Sequence, residues 1–307
     1  MNKFVLLILL VLTNFACGKE EKKPKQLTTQ EKLEALKEKQ SVYLSLLPSV
    51  QGVGGFIQSE ACDSLLFTSL LASVNVPGIS LQQAEASPGR WLRRPASLPE
   101  CYSNGLSRST ISRDQLLGVL WWAFRTKQVQ VVKDLWDYGE SRDWFMGQDS
   151  AGGTHTLFTP LVPLIARIRY RLTGFDHPAR FLPLASEFDQ NKVGFEAHLQ
   201  VLQVVLDSKV KGNISASGSY RLEEQAARQP NNPLFQWAVG NYEGAADSLL
   251  NESWWPADRL PSKRDRKEPW LLERDFGPDW EPADSDQQLS GGDFLFVVSL
   301  VLASSGQ

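Results

Sequence analysis

The segment SRDQLLGVLWWAFRTK, Ser112 to Lys127, constrains this chain more than any other. Leu116, Leu117, Val119, Leu120, Trp121, Trp122 and Phe124 together cover nearly every face of a helix. A helix that is apolar all round must be surrounded, so the fold has to supply packed neighbours on each side. Local signals place its ends. Ser112 and Gln115 make a capping-box pattern, with Asp114 in the expected first turn. Arg125 and Lys127 close the last turn with the sign that a helix C-terminus favours.

The next segment alternates with it. Val129, Val132, Leu135 and Trp136 recur at i, i+3, i+6 and i+7, a one-sided stripe suited to an outer helix. TPLVPLIARIRYRL, Thr159 to Leu172, is helical after Pro163, with Arg167, Arg169 and Arg171 interrupting its apolar surface. GFEAHLQVLQVVLDS, Gly194 to Ser208, carries Phe195, Leu199, Leu202, Val205 and Leu206 at helical spacing. Shorter helices are expected over Leu222 to Gln229, Pro233 to Val239 and Tyr242 to Leu250. The closing GGDFLFVVSLVLASS suits a buried helix or strand by pattern, and its length after Gly291-Gly292 favours a helix. There is no βαβ alternation and no strict repeat, so the expected class is all-α. Helical hairpins, alternately buried and one-sided, with acids and aromatics in long connections, resemble the (α/α) toroids of glycoside hydrolase and polysaccharide lyase families. The resemblance spans roughly Ser59 to Ser304 and includes the GVLWWAFR stretch, Gly118 to Arg125. It implies an inner ring, an outer ring and a sugar-binding mouth at one end. An irregular helical bundle is the alternative.

The first residues give an address. MNKFVLLILLVLTNFACGKEEKKPK has Lys3, an apolar run from Phe4 to Leu12, and a small residue before Cys17. This matches a secretory signal peptide, and the run is shorter than the ~20 residues a bilayer span needs. FAC followed by Gly18 resembles the cleavage site of bacterial lipoprotein precursors, which implies lipid on Cys17. Asn14 stands where that family usually has Leu, and the alternative is ordinary signal-peptide cleavage nearby. In that family, Gly18 in place of an Asp implies the outer membrane. The expected organisation is a signal peptide over 1–16, a charged tether and short exposed helix over 17–40, and one globular domain over 41–307. Thr28 and Glu31 make a capping box that starts the helix, expected over Glu31 to Gln40. With Cys17 lipidated, Cys62 and Cys101 remain as an even pair in an oxidising compartment. Paired, they would stabilise the fold by roughly 4 kcal/mol, and two buried thiols are the alternative.

An apolar fraction of 42% and a net charge of -3 fit neither a disordered chain nor a nucleic-acid binder. No phosphate-cradling glycine loop and no GxSxG elbow paired with a histidine occur, which leaves nucleotide binding without support and disfavours an α/β-hydrolase triad. His155, His177 and His198 lie far apart and no CxxC exists, so neither a metal nor a cofactor is expected. What remains is acids beside aromatics. Cleaving a glycan needs two carboxyl groups, one protonated and one ionised, and flat apolar faces for sugar rings. Asp63, Asp114, Asp149 and Asp275 lie at predicted helix-loop junctions and are the candidate catalytic acids. Trp144, Trp270 and Trp280 are candidate ring platforms, and Arg113 a candidate orienting cation. EPWLLERDFGPDWEP, Glu268 to Pro282, is too proline-rich for one helix and reads as a cleft wall or a core clamp. Arg93 and Arg94, with the basic residues of Pro256 to Trp270, could grip an acidic polysaccharide. The expected function is an envelope-anchored enzyme cleaving a polysaccharide by paired carboxylates. A surface lipoprotein that binds a glycan or a protein without catalysis is the alternative. The address is testable: wild-type protein is expected in the membrane fraction and the Cys17→Ser variant in the soluble fraction. Equal partition of the two on cell fractionation would remove the lipid anchor.

Overall fold

The computed structural model describes residues 27–58, 64–95, 97, 111–146, 161–184, 194–262 and 288–305. These residues are mostly helical, and the all-α class is correct. The helices are α1 (Thr29–Leu46), α2 (Ser64–Ser73), α3 (Arg113–Arg125), α4 (Val129–Glu140), α5 (Val162–Thr173) and α6 (Gly194–Lys211). They continue as α7 (Ala216–Arg228), α8 (Pro233–Ala238), α9 (Tyr242–Leu250) and α10 (Gly292–Ser304). The one sheet among the described residues is a short antiparallel hairpin, β1 (Glu85–Ser87) and β2 (Arg90–Trp91). Gly89, at φ +75°, turns it against α4, where any side chain would strike the Asp134 carbonyl. No helix among the described residues is long and apolar enough to cross a membrane.

Close approach fixes how the buried helices run. A side chain on Gly118 of α3 would begin 3.0 Å from the Leu66 carbonyl oxygen of α2, so the missing Cβ lets the backbones meet. Two turns further along both helices, Arg125 Nε donates to the Ser73 carbonyl at 2.9 Å. The two contacts advance together, and α2 and α3 are therefore parallel. Trp121, fully buried, packs edge-on to Phe296 of α10 with centroids 5.6 Å apart. Its indole N–H donates across to the Leu202 carbonyl of α6 at 3.0 Å. One tryptophan thus joins three helices. α3 packs on α2 and α6, α6 on α8, α8 on α10, and α10 on α2.

The remaining helices lie outside this set. Gln40 of α1 bonds Ser299 while Tyr43, further along α1, stacks at 4.2 Å on the earlier Phe294, so α1 is antiparallel to α10. Lys32 pairs with Glu243 and Asp247, and Lys39 with Glu252, tying α1 to α9. The capping box at Thr28 and Glu31 forms as expected. The helix it starts differs from the expected short exposed one: it continues to Leu46 and buries Lys32, Leu36, Lys39 and Tyr43. Two of those inward positions are lysines, which hid the stripe, because their ammonium heads reach exposed acids while the stems lie on apolar surface. The helices expected over Gly194–Ser208 and Leu222–Gln229 are both longer, and the closing apolar run is helical. Trp121→Ala should lower unfolding free energy by about 3–5 kcal/mol. Chemical denaturation would measure it, and a loss comparable to a surface substitution would show that Trp121 is not the joint between these helices.

Candidate functional site

α2 and α3 are parallel, and Gly292 at the start of α10 lies against Phe67 near the start of α2, so the first turns of α3 and α10 bring acids to one end of the layer. Asp114 lies in the first turn of α3 and is 8% exposed. Its carboxylate makes no hydrogen bond or ion pair with any described residue. Buried polar groups are almost always paired, so an acid left open at this depth is placed to meet a ligand or a water. The N-terminal field of α3 favours its negative charge. Asp293 lies in the first turn of α10, nearly fully buried, and it has an interaction partner. The N-cap before it is Gly291 in the left-handed conformation, and Ser290 Oγ accepts from the Gly292 N–H at 3.0 Å. Gln115 and His198 are buried and partnered.

Asp207 shows what a satisfied buried acid looks like in this protein. It accepts from Arg167 Nη1 at 2.7 Å and pairs with Lys211 at 2.6 Å. Arg167 also donates to the carbonyls of Arg180 and Leu182. That cluster is a clamp between α5 and α6 with every group engaged.

Other predicted residues divide. Arg113 is exposed beside Asp114 at the start of α3 and is partnered. The expected cap at Ser112 is replaced: its hydroxyl makes no cap bond and accepts instead from Arg93 Nη2 at 2.9 Å. Arg93 and Arg94 are buried, and Arg94 donates to the Gln58 carbonyl at 3.2 Å. Both arginines fasten the segment after β2 to its neighbours. Trp144 follows α4 and is half-buried, edge-on to Trp136 at 5.1 Å. Its ring lies over Gly139, where a Cβ would come within 2.5 Å. One side of that indole is committed to the core. His177 packs against Trp136 at 4.7 Å, and its Nδ1 accepts from the Ala179 N–H. Asp63, Asp149, Asp275, Trp270, Trp280, Cys17, Cys62 and Cys101 lie outside the described residues. Asp63 is the residue immediately before α2 in the chain. No group of three or more potential metal ligands gathers among the described residues.

At the other end of the same helices is a cleft that the sequence did not announce. It has a volume of about 610 Å³ and is walled by the ends of α3, α6, α8 and α10. Arg125 and Lys209 project into it, with Trp237 and Tyr242 on the wall. Both side chains are exposed, and partial desolvation by the surrounding walls lowers both pKa values from the ordinary ones, with Arg125 depressing Lys209 further by repulsion. Basic residues in a last turn are ordinary dipole partners, which is why neither stood out in the sequence. Comparison with protein families, with curated proteins and with solved structures finds no match to this chain.

Asp114 and Asp207 should respond unequally to neutralisation. Asp207→Asn strands Arg167 and should cost about 3–5 kcal/mol of stability. Asp114→Asn gives up only a favourable helix-end charge and should cost about 1 kcal/mol or less. Urea titration of both variants checks this, and a large loss from Asp114→Asn would make that acid structural.

Proposed function

We propose that this protein is an exported, lipid-anchored enzyme of the bacterial envelope that cleaves a polysaccharide with a pair of carboxyl groups. Asp114 is the member of that pair with a described environment, and its carboxylate, unpartnered among the described residues, is the observation that carries the reading. An acid held at 8% exposure without a hydrogen bond or ion pair to them is open to meet a bound substrate. Its partner is sought among Asp63, Asp149 and Asp275. The finer architecture belongs to the same proposal: an (α/α) toroid whose inner helices start at a common mouth. The parallel run of α2, α3 and α10, the antiparallel α1 outside them, and the cycle of packing that returns from α10 to α2 support it. Arg113, next to Asp114, orients the substrate, and Trp144, Trp270 and Trp280 receive its rings.

The test is a panel of polysaccharides and cell-wall fragments incubated with the purified mature protein. Release of reducing or unsaturated ends from one of them is expected, with Asp114→Asn reducing turnover by at least about a hundredfold, the scale of general acid–base catalysis. Saturable binding of a glycan without product would replace the enzyme with the non-catalytic lipoprotein. Full activity of Asp114→Asn would remove Asp114 from the chemistry.

A further inference from the structure

The cleft at the far end of the helices is a second site, separate from the acids. α3 has 13 residues, so Asp114 and Arg125 are separated by roughly 17 Å along its axis at ~1.5 Å per residue. We propose that this cleft binds a small acidic sugar, its anionic group held between Arg125 and Lys209 and its ring against Tyr242.

The charge distribution favours an anion. Among the described residues, no Asp or Glu lines the cleft. Neither Arg125 nor Lys209 has an ion pair with any described residue. Elsewhere in the protein buried cations are matched, Lys32 with Glu243 and Asp247, Lys39 with Glu252, and Arg167 with Asp207, whereas Arg125 and Lys209 are exposed and reach the cleft without an acid among the described residues. Asp207, two residues before Lys209, is the acid nearest in the chain, and its two oxygens are engaged by Arg167 and Lys211. Two unmatched like charges facing one cavity repel, and a bound anion would remove that repulsion.

The cleft is also preorganised. Arg125 Nε is fixed by the Ser73 carbonyl, which leaves the outer edge of the guanidinium to receive an anion. Lys209 lies over the Trp237 ring at 5.3 Å, and the indole N–H is itself held by Ser304 Oγ at 3.2 Å. Both cations are therefore positioned before any ligand arrives, which lowers the entropic cost of binding. Tyr242, 41% exposed, supplies the aromatic surface a sugar ring prefers, and the buried Trp237 backs Lys209. Asn213 and Ser208 line the cleft with groups that can meet hydroxyls. The volume falls within the range of small-molecule sites, roughly 300–1,000 Å³.

The sign of the pH dependence is set by Lys209. It starts with a lowered pKa, a bound anion raises it, and binding therefore takes up protons and weakens as pH rises through the lowered value.

Isothermal titration calorimetry of the mature protein with glucuronate, glucose 6-phosphate, inorganic phosphate and glucose tests the proposal. At least one of the two acidic sugars is expected to bind with Kd below about 1 mM, with neutral glucose silent. Which of the two binds tells whether the site takes a carboxylate or a phosphate. Lys209→Met should weaken that binding about tenfold or more while the folded protein melts no lower than wild type, because a repulsion is lost. Tyr242→Ala should weaken the acidic sugar and leave any binding of inorganic phosphate unchanged. The proposal is overturned if neither acidic sugar binds, if glucose binds equally, or if Lys209→Met binds as wild type. None of these readouts uses polysaccharide cleavage, so the site stands or falls independently of the proposed enzyme.

Discussion

The rest of the molecule depends on α2, α3 and α10 lying side by side with their N-termini at one end. Gly118 permits the closest of those approaches, since its absent Cβ gives the Leu66 backbone room. Trp121 then fixes the third and fourth neighbours, with its ring on Phe296 and its N–H on the Leu202 carbonyl. Parallel packing has an electrostatic consequence. Each helix carries a partial positive charge at its start and a partial negative charge at its end, and parallel helices add these instead of cancelling them. The body is therefore polarised, with one face that favours acids and an opposite face that favours bases.

The sequence is distributed along that axis. Asp114 and Asp293 lie in first turns, while Arg125 lies in the last turn of α3 and Lys209 and Lys211 in the last turn of α6. Much of this is simply charge placed to complement the dipoles. What exceeds that requirement marks the two ends as different kinds of place. At the start of α3, Asp114 is buried without a partner among the described residues, which no dipole argument demands. At the far end, two cations share one concave wall on which the described residues place no acid, and mutual repulsion depresses one of them.

Much of the helical framework was legible because short-range rules decide it. The all-round apolar run of α3, the one-sided stripe of α4, Pro163 in the first turn of α5 and the Thr28 capping box each state a local preference that burial reinforced. The errors came from competition at longer range. Ser112 has the sequence of a capping box, yet Arg93 arrives from another segment and takes its hydroxyl. Arg93 and Arg94 look like a surface gripping site in sequence, and burial makes them structural donors. α1 appeared short because Lys32 and Lys39 stand where apolar residues would mark an inner face. Of the candidate site, only Asp114, Arg113 and Trp144 have described positions, and for Trp144 the glycine at 139 was the readable sign that the indole would pack inward. Arg125 and Lys209 could not be paired from sequence, because their neighbourhood is created by Trp121 bringing α6 onto α3.

The same polarity bears on why both ends should be open to ligands at all. A helix layer with aligned dipoles carries an unfavourable field energy that side chains of the right sign reduce. Where the protein supplies a full partner, as Asp207 does for Arg167, the result is a closed clamp. Where it supplies one sign only, the compensation is incomplete and a mobile ion or substrate can finish it. At the acid-favouring end the unfinished group is Asp114, which a substrate hydroxyl can meet. At the base-favouring end the unfinished pair is Arg125 and Lys209, which an anion can meet. Among the described residues, a fold built from parallel helices thus leaves an incomplete group of each sign on opposite faces, as a consequence of its own packing.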